Sequence, residues 1–339
     1  MNMSESVFLG LEIGGTKLQL ALGRADGKIL ARERRTICPD RGASAILAQI
    51  EEAYRTLIGR GMGHPATAGI GFGGPVDANR GVVLESHQVE GWDHFPLVEW
   101  ARQTLGLARV ALQNDADTAG LGEVRQGGGR GLSPVFYVTI GSGIGGGLII
   151  DGQIYRGSGI GAGEIGHLWV DLTGASPKRL ETIASGWSIG EAGRHAFDAG
   201  DHQGIMEQLA DNNREKVDAP LVAIAASMGD HRAMTILNIA TRAMGQALAH
   251  VATLLAPRRI ILGGGVSLLS EDLWARPIFQ ELEARSFPPF RGTFDLTTAA
   301  LGEEVVLHGA LALASDLEAA DLNKIRTVRL TALSHPATF

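Results

Sequence analysis

The sequence predicts an α/β protein of two similar lobes, and three observations point there. Its 339 residues exceed the roughly 250–300 at which a single hydrophobic core stops growing. A strand, a glycine turn and a second strand occur at Val7–Leu22 and again at Val135–Ile150, about half a chain apart, as in a duplicated architecture. Short apolar runs alternate with helical stripes, the order of an α/β sheet rather than of segregated strands and helices.

The first lobe opens with the runs Val7–Ile13, Leu18–Leu22 and Lys28–Arg34. Gly14-Gly15 parts the first two and the hairpin signal Asp26-Gly27 the others, so an antiparallel meander is expected. Ala45, Ile46, Ile50, Tyr54, Leu57 and Ile58 keep helical spacing up to Gly59–Gly61, where glycine ends the helix. Then follow a buried strand at Ala66–Phe72, a helix at Leu97–Leu105, a strand at Arg109–Leu112 and a helix start at Ala116–Glu123.

The second lobe repeats the opening: strand Val135–Ile140, turn Gly141–Gly147, strand Leu148–Ile150, turn Asp151-Gly152, strand Gln153–Arg156. The stripe from Ala233 through Leu237, Met244, Leu248 and Val251 to Leu255 is a long helix stopped before Pro257, and such a stripe is core sooner than interface. Arg259–Leu262 is a strand feeding Gly263-Gly264-Gly265, Leu268–Ala284 and Glu303–Ala314 read as helices, and Phe294–Leu296 as a strand. The expected domains are 1–125, with the helix of about 303–315 able to pack back on it, then 126–302, then a C-terminal extension at 316–339 with little pattern.

Composition removes several classes of function. The net charge is −7 and no basic run exceeds Arg32–Arg35, so there is no footprint for nucleic acid. One cysteine, Cys38, forms no internal disulfide and suits a reducing compartment; it reads as a small apolar filler. Met1–Ser6 lacks a signal-peptide pattern, and no apolar stretch is long enough to span a membrane, so a cytoplasmic protein without a membrane partner is expected.

Gly14-Gly15-Thr16-Lys17, preceded by Glu12, brings bare backbone N–H groups, a hydroxyl and an ammonium together, which suits a phosphate chain; an ordinary hairpin turn is the competing reading. Gly141–Gly147 holds five glycines in seven positions, a density better explained by close approach to a ligand than by a turn alone. Neither is a Walker or Rossmann loop, since no Gly-Lys-Ser/Thr ending appears and strands follow the glycines. Asp115, beside Asn114 at a strand end, is a candidate general base, and equally a candidate helix cap, with Asp117 the rival cap. Glu164 and His167 suit vicinal sugar hydroxyls, or else are plain surface groups. Leu168–Leu180 offers no cysteine or second histidine, so zinc at His167 is not expected. Gly263–Gly265 is a strand-to-helix turn or a ligand contact.

Leu11–Lys17, Gly71–Asp77, Asn114–Asp117, Gly141–Gly147, Glu164–His167 and Leu180–Gly186 together resemble the ROK family of sugar kinases and repressors, in order from about residue 7 to 315. The resemblance implies a two-lobed actin-like (ribonuclease H-like) ATPase fold with duplicated βββαβα lobes, and ATP, Mg²⁺ and a sugar as ligands. It implies Asp115 as the base; Gly74, Asn114, Glu164, His167 and Glu181 as sugar contacts; Gly14, Gly15, Thr16, Lys17, Gly141, Ser142 and Gly143 around the phosphates; and Gly264 and Gly265 on the adenosine side. A homodimer is also implied. Glucose is the first expectation; an N-acetylhexosamine or other hexose, or a non-catalytic sugar-binding regulator, are the alternatives. With the first strand expected from Val7, the repressors' helix-turn-helix is not expected here.

Two departures from the family pattern stand out. Its zinc-holding cysteine cluster is missing from Asp171–Arg179, so that loop is expected to be held by packing through Trp169 and Pro177, without zinc. Glu12 stands where the family has Asp, one methylene further toward the metal and phosphates; it is expected either to act on Mg²⁺ through water or to lower activity. Metal analysis of the purified protein is expected to find no stoichiometric zinc; one tightly bound zinc per chain would refute this.

Overall fold

The computed structural model describes residues 6–86, 89–174, 176–200 and 204–333. These fall into two compact units, one of residues up to Gln126 with Arg156–Gly161 and everything from Glu304, the other of Gly127–Tyr155 and Ala162–Glu303.

In the first unit β1 (Phe8–Ile13), β2 (Lys17–Gly23) and β3 (Ile29–Thr36) form the meander, α1 (Gly42–Gly59) leads to β4 (Thr67–Phe72), and β5 (Val76–Asp77) with β6 (Val82–Val83) make a small hairpin. Then come α2 (Leu97–Leu105), β7 (Arg109–Asn114) and α3 (Asp115–Gln126). The sheet order is β3-β2-β1-β4-β7, antiparallel through the meander and parallel beyond β1. Ile46, Ile50 and Leu57 of α1 and Leu97 and Ala101 of α2 bury one face of this sheet, against Leu11, Leu20 and Ile70. Strand alternation puts Glu12, Gln19, Gly71 and Gln113 on neighbouring strands in one row facing the opposite way.

The second unit repeats the plan with β8 (Val135–Ile140), β9 (Ile144–Ile150) and β10 (Gln153–Ile154). A short hairpin of β11 (Trp169–Val170) and β12 (Lys178–Arg179) precedes α4 (Glu181–Ala184), α5 (Gly186–Asp198), α6 (Ile205–Leu209), α7 (Ala219–Ser227) and α8 (His231–Leu255). Finally β13 (Arg259–Gly263), α9 (Ala275–Arg285) and β14 (Asp295–Thr298) complete it. Its sheet order, β10-β9-β8-β13-β14, matches the first sheet strand for strand. The α8 stripe is core: Ala233, Leu237, Ala240, Met244 and Leu248 pack with Phe136, Val138 and Leu262.

Four expectations change. The glycines 145–147 are not turn but part of β9, paired with Thr139, Val138 and Tyr137, because the bend is complete at Gly143. The last helix, α10 (Val305–Leu333), does not stop near 314: it passes the start of the supposed extension without a break. Past Ser315 it is tied by Asp316 to Arg125 at 2.8 Å and by Glu318 to Arg109 at 3.9 Å, charged contacts that leave no apolar stripe to read; residues 334–339 lie outside the described residues. Cys38 is exposed, since it follows the edge strand β3 instead of entering the core. Trp169 is 62 % exposed, so the loop after His167 is held by the β11–β12 pairing rather than by packing of that ring.

α10 lies close against α3 because glycines line the contact: a Cβ on Gly309 would overlap the Thr118 carbonyl, and one on Gly122 the Val305 carbonyl. Overpacking a tight contact of this kind costs about 1–3 kcal/mol. Gly309→Ala is therefore expected to lower the melting temperature by several degrees, checked by thermal unfolding, whereas the open position Gly59 tolerates the same change.

Candidate active site

In the first unit, the C-terminal ends of β1, β4 and β7 converge, the edge at which open α/β sheets present ligand-binding residues. Gly73 N–H donates to the Ile13 carbonyl at 2.8 Å and Gly74 N–H to the Phe72 carbonyl at 2.9 Å. A Cβ on Gly73 would stand 3.3 Å from Asp115 Oδ2 and 3.3 Å from Gly14 Cα. The carboxylate and the first glycine turn are thus neighbours across a residue without a side chain.

Asn114 resolves which residue caps α3. Its Oδ1 accepts from Ala116 N–H at 2.8 Å and Asp117 N–H at 3.4 Å, and its Nδ2 donates to the Gly74 carbonyl at 3.1 Å. Asp115 Oδ1 shares the Ala116 N–H at 2.8 Å, and Asp117 is buried. Neither aspartate is the principal cap.

The first turn is short: β1 ends at Ile13, β2 begins at Lys17, and Gly14 N–H donates to the Lys17 carbonyl at 2.9 Å. Glu12 is only 7 % exposed. Its Oε1 meets Lys17 Nζ at 2.9 Å and its Oε2 accepts from Gln19 Nε2 at 2.8 Å. A partly buried carboxylate needs such compensation, and it holds the Lys17 ammonium beside the turn. Nearby, Gln113, with its amide oriented to accept, takes a bond from Arg156 Nε at 2.8 Å.

In the second unit the turn of Gly141–Gly143 closes with Gly141 N–H on the Gly143 carbonyl at 2.9 Å, and Gly186 N–H, at the start of α5, bonds the Gly141 carbonyl at 2.7 Å. Glu181 belongs to this turn as much as to a sugar site: its Oε2 accepts from Ile144 N–H at 2.8 Å, and a Cβ on Gly143 would come within 2.6 Å of it. Glu164 lies in its field. Glu164 is exposed by surface area, yet the atoms crowded around its carboxyl desolvate it enough to hold it above the ordinary carboxylate range; His167 opposes that and Glu181 adds to it. β12 reaches Glu181 through Leu180, and His167 reaches β11 through Leu168.

Gly264 has φ +83 and a Cβ there would clash with the Ile140 backbone, whereas Gly265 faces open space. Gly265 lines a cavity of about 350 Å³ with Ser142, Val266, Leu269, Asp218 and Pro220. The wall at Asp218–Pro220 escaped the sequence reading, although Asp218, whose side chain accepts from Leu221 N–H at 2.9 Å, followed by a proline in the first turn is a helix-start signal. Among the described residues no cluster of three or more His, Cys, Asp or Glu is placed to hold a metal ion.

Residues 8–317 match the sequence model of the ROK family. The chain is 31 % identical over 318 residues to a glucokinase of Thermotoga maritima, covering 92 % of this chain and 98 % of that one. It is 28 % identical over 311 residues to an N-acetylmannosamine kinase of Escherichia coli, covering 90 % and 97 %. Among solved structures it resembles a ROK family glucokinase from Streptomyces griseus in complex with glucose and AMPPNP, at 31 % identity and a TM-score of 0.78 over 92 % of this chain and 100 % of that one.

The raised Glu164 carboxyl has a consequence for stability. As pH rises past about 4.3 the unfolded chain ionises first, so the native state loses stability until its own Glu164 has also ionised. Glu164→Gln removes this titration. Melting curves between about pH 4 and pH 7 are expected to show the variant gaining on the wild type as pH rises; a difference independent of pH would contradict it.

Proposed function

The chain belongs to the ROK family, and on that premise we propose that it is an ATP-dependent glucose kinase of the actin-like ATPase fold. The sugar's 6-hydroxyl is the acceptor and Asp115 the general base. The observation that carries this is the proximity of Asp115 and the Gly14 turn across Gly73, which brings a carboxylate beside the glycine turn. The similarity to glucokinases over nine-tenths of the chain supports the substrate.

Phosphoryl transfer leaves little covalent work to the protein beyond positioning and charge stabilisation. Asp115 accepts the proton of the attacking hydroxyl. Asn114 and Gly74 orient that end of the sugar, while Glu164, His167 and Glu181 accept from or donate to its ring hydroxyls. The Gly14 and Gly141 N–H groups close their own turns; the other N–H groups of Gly14–Lys17 and Gly141–Gly143, with the Thr16, Lys17 and Ser142 side chains, bind the phosphates, and the adenosine lies by Gly264 and Gly265 in the cavity bounded by Pro220 and Leu269. Mg²⁺, arriving with ATP, would neutralise charge developing on the phosphates. Both Glu12 oxygens already accept from Lys17 and Gln19, so this carboxylate fits the ion through a water molecule and not as a direct ligand.

We further place the protein in the cytoplasm as a homodimer; among the described residues no helix is long and apolar enough to cross a membrane.

Coupled ADP release tests this across glucose, N-acetylmannosamine, N-acetylglucosamine, fructose and allose. Glucose is expected to give the highest kcat/KM, and Asp115→Asn to lower kcat by roughly 10²–10⁴-fold, the usual share of general base catalysis. Preference for an N-acetylhexosamine would move the substrate assignment to that class. No turnover on any sugar, or an undiminished Asp115→Asn, would sink the mechanism.

A further inference from the structure

His167 and Glu181 are separated by a loop, yet they are joined by a ladder. Trp169 pairs with Arg179 and Val170 with Lys178, and Leu180 N–H donates to the Leu168 carbonyl at 2.8 Å. Beyond Leu168 and Leu180 the ladder ends: His167 closes a 3₁₀ turn on one side and Glu181 opens α4 on the other. At the far end Asp171 Oδ1 closes the turn, accepting from Thr173 N–H at 2.9 Å and Gly174 N–H at 2.7 Å. Val170 is 1 % exposed and anchors β11 in the core, but its neighbour Trp169 is 62 % exposed. The Arg179 guanidinium lies 5.9 Å from the Trp169 ring centroid, within cation–π range. A largely exposed indole adds little to the core, so its contact across the ladder calls for another purpose.

We propose that Trp169 and Arg179 are positioning residues, a clamp that keeps β11 on β12 and so fixes the two chain segments, ending at His167 and beginning at Glu181, that flank the ladder's end for the acceptor sugar. The inference rests on the sugar-kinase reading above. Glu181 has a second anchor, its carboxylate on Ile144 N–H. His167 ends a short 3₁₀ turn, and the ladder fixes the chain beyond it. Loss of the clamp therefore falls on the sugar and spares the nucleotide.

The test uses the full-length enzyme with Trp169→Ala, Arg179→Ala, the double variant and the conservative Trp169→Tyr and Arg179→Lys. Either alanine variant is expected to raise the KM for the sugar about two- to fivefold, the worth of an exposed cation–π pair, with the KM for ATP and the melting temperature unchanged. The double variant should be no worse than the singles, and Trp169→Tyr should restore most of the loss. Amide hydrogen exchange over residues 165–182 should quicken in both alanine variants whichever sugar is the substrate. Unchanged exchange, or equal increases in both KM values with a lowered melting temperature, would overturn the clamp. Wild-type enzyme silent on every sugar, with faster exchange in the variants, would instead overturn the kinase reading and with it the purpose given to the clamp.

Discussion

One side-chain amide organises the first half of the site. Asn114 caps α3 through its oxygen and holds the Gly74 carbonyl through its nitrogen, so the ends of β4 and β7 and the start of α3 share one group. An aspartate could cap but has no hydrogen to donate to Gly74; a serine could cap but lacks the second arm. With the cap carried mainly by Asn114, Asp115 is held at the strand end next to Gly73 and the first turn.

Glycine serves two different ends in this chain. At Gly73 the missing side chain lets a carboxylate and a backbone turn approach one another. At Gly143 it makes room for the Glu181 carboxylate, at Gly146 for the Gly163 carbonyl and at Gly264 for the Ile140 backbone. Much of the glycine density in Gly141–Gly147 thus answers to packing inside the second unit, and only the bend at Gly141–Gly143 is left for the phosphate-binding role proposed above. Glu181 joins the two uses: the carboxylate proposed for the sugar also holds Ile144 N–H at the end of that bend.

The sequence by itself determined the two meanders, the alternation of strands and helices after them, the core stripe of α8 and the places where glycine turns interrupt strands. It also placed Asn114-Asp115 at a strand end. These features are carried by local periodicity and turn chemistry, which each segment possesses before it folds. The choice of Asn114 over Asp115 or Asp117 as cap, the Glu12–Lys17–Gln19 cluster, the hold of Glu181 on Ile144, the cavity wall at Asp218–Pro220 and the run of α10 to Leu333 were decided only in three dimensions. Each depends on strand register or on which faces meet across long stretches of chain. Spacing along a sequence does not encode that, because the same side chain can cap a helix, pair a charge or fill a gap according to what packing brings beside it.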